Sequence, residues 1–232
     1  LKGHGRVVLV DTGIGDTFED TKYQSLYAVD HSDATLAESL HDRGVAPADV
    51  TDVVLTHLHF DNCGGGTQRT DAGAEPTFPN ATYHVQRQHW DWATDPNPKE
   101  KGSFLSETFA PLERSDQLHL VDGAGQLFPY VDVALVHGHT ESQQVVTVHD
   151  ETTTLVYVAD LLPTIHHLHS AWTMAYDVRP LQTIEEKADF LEQAVQSEWN
   201  LFFEHDPEVA VGTPERTDRG TEIARRRSLE AL

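Results

Sequence analysis

Val53-Val54-Leu55-Thr56-His57-Leu58-His59-Phe60-Asp61-Asn62-Cys63-Gly64-Gly65-Gly66 is an apolar, β-branched run that stops in two histidines and an aspartate on alternating positions, followed by three glycines. Extended backbone puts side chains i and i+2 on one side, so His57 and His59 point the same way as the strand ends. Imidazole nitrogens and carboxylate oxygens are the usual protein ligands of zinc and similar ions, and glycine lets the chain turn sharply beside them. The stretch reads as a strand that ends in a metal site.

Upstream, Arg6-Val7-Val8-Leu9-Val10 reads as a buried strand closed by the loop Asp11-Thr12-Gly13-Ile14-Gly15-Asp16, in which Asp11 has the spacing of a turn residue. A helical pattern covers 32–43, with Leu36 and Leu40 on one face, Ser32 or Asp33 as cap and Gly44 as stop. Strand, helix and strand in succession favour a layered α/β arrangement. Downstream, 68–79 is polar and rich in Pro and Gly and reads as a surface loop; a short strand at 81–85 and a helix at 86–93 follow. Short strands are expected at 118–121, 131–136, 144–148 and 153–158, the last two joined as a hairpin. Thr183 and Glu186 have capping-box spacing for a helix over 183–198, after which Leu201-Phe202-Phe203 reads as the last strand. The tail from Glu215 is polar and fits a terminal helix, with Arg225-Arg226-Arg227 packing on the protein's own acidic surface. No repeat or linker divides the 232 residues, so one domain over 1–232 is expected.

The 38 Asp and Glu against 16 Lys and Arg give a net charge of -22. Such a field repels nucleic-acid phosphates and anionic membrane surfaces, and no apolar run approaches the roughly 20 residues of a membrane helix. A small-molecule substrate is the expected partner, with a homodimer as an option and neither nucleic acid nor membrane. The acidity suggests either adaptation to high salt or an ordinary acidic, cytoplasmic, bacterial-type enzyme. The single cysteine, Cys63, excludes an intrachain disulfide and is read as buried packing. The chain opens at Leu1 on a strand-like run, so residues upstream are expected.

Three later residues share the form of the opening stretch, a ligand-type side chain directly after an apolar run: His139, Asp160 and His205. His137 competes with His139 on spacing alone. Taken with the H-x-H-x-D element at His57, His59 and Asp61, their order resembles the metallo-β-lactamase-fold hydrolases over nearly the whole chain. Asp11-Thr12-Gly13 is similar to that family's early D-T-G element, and Gly138-His139-Thr140 to its Gly-His-Thr element. Asp160-Leu161-Leu162-Pro163, Met174-Ala175-Tyr176-Asp177 and Glu204-His205-Asp206-Pro207 look most like the branch of N-acyl-homoserine lactonases.

The resemblance implies an α+β fold, the four-layer αβ/βα sandwich with two mixed sheets and the metal site where strand-end loops meet. It implies that His57, His59 and His139 hold a first metal, that Asp61 and His205 hold a second, and that Asp160 bridges them, with one or two Zn2+ per chain or another divalent ion at the second site. Asp11 would orient the metal loop, and Asp61 would act in catalysis on a nucleophilic water. The implied activity is metal-dependent hydrolysis of a small ester-like substrate, a lactone first. Phosphotriester or thioester hydrolysis, or a non-catalytic metal-binding protein, are the alternatives. One position departs from the family pattern: the residue after Asp61 is Asn62 where the family has its fourth histidine, and an amide oxygen is the weaker ligand. Of the remaining histidines, His4, His31, His41, His84, His89, His119 and His149 are expected as surface or cap residues, and His166, His167 and His169 in a loop near a pocket mouth. Trp90, Trp92, Trp172, Met174 and Tyr176 would serve either as walls of an apolar pocket or as core.

Overall fold

A computed structural model describes residues 1–16, 22–71 and 73–229. They divide into two compact units, Leu1–Asp122 and Gly123–Leu232. The first carries β1 (Lys2–Gly3), β2 (Arg6–Val10), α1 (Lys22–Tyr27), α2 (Leu36–Asp42), β3 (Asp52–Val54) and α3 (Phe60–Cys63). β4 (Thr67–Thr70), β5 (Gly73–Pro76), β6 (Thr82–Gln86), α4 (Arg87–Thr94), α5 (Ala110–Arg114) and β7 (Leu118–Val121) complete it. Its main sheet runs β1-β2-β3-β6-β7, parallel from β2 to β7, with β1 turned back antiparallel on β2. Strands of a parallel sheet are covered on both faces and read as near-continuous apolar runs, as Val53-Val54-Leu55 does. One face packs Val53, Leu55, Tyr83 and Val85 against Trp90, Phe104, Phe109 and Leu112 from the helices and loops. β2, β3 and β6 run the same way, so the loops after β2 and β3 open at one edge of the sheet, the edge at which parallel sheets collect their ligands.

The second unit carries β8 (Gly125–Phe128), β9 (Val131–Val136), β10 (Gln143–His149), β11 (Thr154–Tyr157), α6 (Pro180–Gln196), β12 (Asn200–Phe202), β13 (Val211–Thr217) and β14 (Gly220–Arg227). Its sheet runs β14-β13-β12-β11-β10-β9-β8 and is antiparallel except for β11 and β12. A parallel pair needs a crossover, and α6 supplies it. Leu191 and Ala194 of α6 join Val136, Val145, Val156 and Leu201 in the core of this unit. Both sheets are mixed, as expected.

Several expectations are corrected. The helix predicted over 32–43 begins at Leu36, because Thr35 accepts from the Glu38 N–H while Glu38 reaches back to the Thr35 N–H. The loop predicted over 68–79 contains the β4–β5 hairpin, with Ala72 outside the described residues. The helix predicted over 183–198 starts earlier, at Pro180, whose missing N–H suits a first helical position. Thr183 and Glu186 form no capping box, since the Glu186 carboxylate accepts instead from the His137 and Gly138 N–H groups. The strand at Leu201 is not the last: the tail is the β13–β14 hairpin, turning at Asp218-Arg219. Arg225, Arg226 and Arg227 lie on β14 and form no ion pair among the described residues.

Candidate metal centre

Asp11, just after β2, adopts a left-handed backbone (φ 56) that aims its carboxylate at the end of β3. Its Oδ1 accepts from the Thr56 N–H at 2.7 Å and its Oδ2 from the Thr56 hydroxyl at 2.7 Å. With that hydroxyl proton committed to Asp11, Thr56 Oγ1 can only accept from His57 Nδ1, 3.0 Å away. His57 is thereby fixed with its proton on Nδ1 and a bare Nε2, and its ring is fully buried.

His57 Nε2 faces His59 Nδ1 at 3.1 Å. His59 turns its other nitrogen toward the buried carboxylate of Glu100, Nε2 to Oε1 3.5 Å, which favours the proton on that side and leaves Nδ1 bare. Two lone pairs then point at each other across a gap close to that between two ligands of one tetrahedral zinc, roughly 3.3 Å. Fully buried His89 accepts from the Leu58 N–H at 2.8 Å and fixes the backbone between the two histidines. His59 caps α3, which places half-buried Asp61 in its first turn.

The glycines after α3 are set by close approach. A methyl group on Gly64 would lie 2.1 Å from the Ile14 carbonyl oxygen, and one on Gly65 2.3 Å from that of Thr12. The Asp11–Ile14 loop thus presses directly on the turn, with the Thr12 N–H donating to Asn62 O and the Gly65 N–H to Gly13 O. Asn62 is buried and its amide nitrogen donates to Asp11 Oδ2 at 3.3 Å. Cys63 is buried packing, with burial pushing its thiol up to about 12.

In the second unit, buried His139 places Nδ1 2.9 Å from Asp177 Oδ1. A carboxylate can only accept, so Nδ1 carries the proton and Nε2, 3.4 Å from Asp160 Oδ2, is bare. The other Asp160 oxygen lies 3.4 Å from His205 Nε2, which is 3.6 Å from Glu204 Oε1. Asp160, Glu204 and His205 offer ligand atoms that all lie within 4.8 Å of one another. The Tyr157 hydroxyl hydrogen-bonds Glu204 and orients it. His137 is instead held by Glu141 at 2.7 Å, which decides its competition with His139. The turn carrying His139 is fastened from outside by Glu186 and by Arg179, whose guanidinium donates to His137 O and Glu141.

The first unit therefore brings together His57, His59 and Asp11, and the second His139, Asp160 and His205. Imidazole and carboxylate donors of this kind, with His57 and His139 each held through Nδ1, suit a divalent cation. Sequence reasoning missed Thr56, Glu100, Asp177 and Glu204 as supports or donors, although Thr56, Asp177 and Glu204 sit inside stretches already singled out. It also misplaced His84 and His89, which are buried. Trp90 is core, whereas Trp172 and Tyr176 are exposed. His166 and His169 line an open cavity of about 820 Å³ with Trp172, α6 and the β13–β14 hairpin.

The family model of the metallo-beta-lactamase superfamily matches residues 1–211. The chain belongs to that superfamily. Among curated proteins, the N-acyl homoserine lactonases AttM of Azorhizobium caulinodans and of Agrobacterium fabrum are each 38% identical over 66 residues, 28% of this chain and 22% of theirs. The aligned stretch thus spans about a fifth of those relatives. A probable metal-dependent hydrolase from Staphylococcus aureus, 26% identical, superposes with a TM-score of 0.87 over 100% of this chain and 80% of its own. The dizinc quorum-quenching lactonase AidC, 22% identical, gives 0.80 over 98% of this chain and 78% of its own. The metallo-β-lactamase fold expected from the sequence is the one present. Among the described residues no helix is long and apolar enough to cross a membrane.

Proposed function

We propose that this superfamily member is a metal-dependent hydrolase that opens lactones, working as one domain over 1–232. His57, His59 and His139 would hold a first zinc, Asp61 and His205 a second divalent ion, and Asp160 would bridge them. The observation that carries this reading is the shared setting of His57 and His139: each is buried with Nδ1 held by a fixed acceptor and Nε2 turned toward another ligand-type atom, His59 Nδ1 for the one and Asp160 Oδ2 for the other. When bound, such ions lower the pKa of water towards neutrality and polarise a carbonyl oxygen. The chain's own residues do the rest. Thr56 and Asp177 keep the two imidazoles in the ligating tautomer, and Glu100 does the same for His59. Asp61, at the half-buried start of α3, takes a proton from the attacking water and delivers it to the leaving ring oxygen, so that one carboxylate serves both halves of the reaction. The lactone choice is supported by the AttM relatives and by the 174–177 and 204–207 stretches.

Asn62 bears on the second ion. Its amide nitrogen is engaged with Asp11, and an amide oxygen is a weaker ligand than imidazole, so the second site is the weaker one. The test is metal content and turnover together. Wild type is expected to hold at least one zinc and to hydrolyse N-acyl-homoserine lactones faster than phosphotriesters or thioesters. His57→Ala should lose the first zinc and all turnover, and Asn62→His should raise second-metal occupancy. Metal uptake without turnover on any of the three substrate classes would favour a metal-binding protein of this fold over the enzyme.

A further inference from the structure

We propose that His84 and His119 form a second, separate site for a divalent transition-metal ion, on the face of the first unit's sheet opposite the one that packs Tyr83 and Val85 into the core. Asp52 opens β3, the strand whose other end leads to His57. On the neighbouring parallel strands β6 and β7, His84 pairs in register with His119, so their side chains project from the same face. Asp52 Oδ2 accepts from Arg6 and from the Thr51 hydroxyl, both at 2.7 Å, and Oδ1 lies 2.9 Å from His84 Nε2. Asp52 and His84 are buried, whereas His119 is exposed.

The tautomer follows from these partners. Asp52 is held as a carboxylate by Arg6 and can only accept, so His84 Nε2 carries the proton and its Nδ1 presents a lone pair. That lone pair faces His119 Nδ1 at 3.1 Å. Without an ion, His119 donates its Nδ1 proton across the gap. When His119 carries its proton on the solvent-facing Nε2 instead, two bare Nδ1 atoms converge at the spacing of two ligands on one ion, with no net proton gained or lost. Carboxylate, histidine and metal in line is the arrangement that fixes a ligating imidazole and raises its basicity. An imidazole pair selects Zn2+, Ni2+ or Cu2+ over Mg2+ or Ca2+. β7 is the outer strand of its sheet, and the ion would staple it to β6.

The test uses the full chain, first saturated with Zn2+ and desalted so that tight sites are filled, then titrated with Ni2+ by calorimetry. One equivalent beyond those that His119→Ala still takes up is expected, with paramagnetic broadening of the His84 and His119 imidazole signals. His119→Ala, a change at an exposed position, should remove that equivalent and leave hydrolysis untouched. Asp52→Asn should weaken it about 10- to 100-fold, the usual loss when the carboxylate behind a ligating histidine is removed. Equal Ni2+ uptake and affinity in wild type and His119→Ala overturns the proposal. Loss of the equivalent in His149→Ala but not in His119→Ala overturns it as well, since it would assign the ion elsewhere.

Discussion

His57 gives its Nδ1 proton to Thr56 and His139 gives its own to Asp177, so in the proposed metal site the acceptors behind the two histidines should tune metal affinity. Thr56→Val keeps the shape of the side chain but removes the acceptor for His57, and Asp177→Ala removes that for His139. Each should lower zinc affinity about 10- to 100-fold in competition with a chelator, while helix and sheet content stay unchanged in circular dichroism. An affinity equal to wild type in both would show that the outer partners are idle. Histidine burial also sets a pH dependence. Burial holds both His84 and His167 below the usual 6.5, against the pull of Asp52 on the first and with Lys187 adding to the effect on the second. Below 6.5 the unfolded chain takes up protons that the folded chain refuses, so stability should fall as pH drops from 6.5 through the folded-state values. Urea unfolding at pH 7.5, 6.0 and 5.0 checks this, and the slope should flatten in His84→Gln. The residues of the proposed site were legible because a histidine or aspartate directly after an apolar run is a conspicuous local signal. Asp177 was not assigned a role because it stands 38 positions from His139. Nothing local marks one carboxylate among 38 Asp and Glu as the one a distant imidazole will meet.

At the scale of elements, α6 does two jobs with one face, since Lys187, Leu191 and Ala194 stand at i, i+4 and i+7. Leu191 and Ala194 enter the core of the second unit, and Lys187, almost fully buried, donates to the carbonyls of His167, His169 and Trp172 at 3.0, 3.0 and 2.5 Å. Burial lowers the Lys187 pKa, with Asp177 opposing it, yet three carbonyl acceptors are a site built for an ammonium group. Lys187→Met keeps the stem and removes the donors, leaving carbonyls without partners. It should cost about 2–3 kcal/mol in urea unfolding. Amide exchange over 165–172 should speed up as well; a change confined to α6 would mean that the lysine does not fasten this loop. The periodicity of α6 and the alternation in β9, β10 and β11 made those elements readable. The β13–β14 hairpin was not, because Arg216, Arg219 and Arg225 to Arg227 give a polar tail in which strand alternation is hidden. Glu186 misled for a related reason. Its spacing from Thr183 fits a local cap, but the His137 turn offers two N–H groups that outcompete the local one.

For the whole molecule the dominant fact is the charge of -22. Carboxylates spread over the chain repel one another in the folded state, and unfolding relieves that repulsion by moving them apart. Raising salt from about 0.05 to 1 M shortens the screening length to about 3 Å and removes most of the repulsion. The same salt weakens an exposed ion pair such as Arg87–Asp122, but solvent screening already leaves such a pair little to contribute. The Arg6–Asp52 pair, whose aspartate is buried, is screened less. Relief of repulsion over so many acidic groups should therefore exceed the loss of a few surface pairs, and stability should rise with salt. Thermal unfolding in NaCl from 0.05 to 1 M is expected to show a midpoint that climbs by several degrees, most steeply at the low end where screening changes fastest. Replacing NaCl by KCl at equal ionic strength should leave the curve in place, because the effect depends on screening and not on a bound ion. A midpoint that stays flat or falls would mean that the acidic surface is already neutralised by the protein's own arginines and histidines.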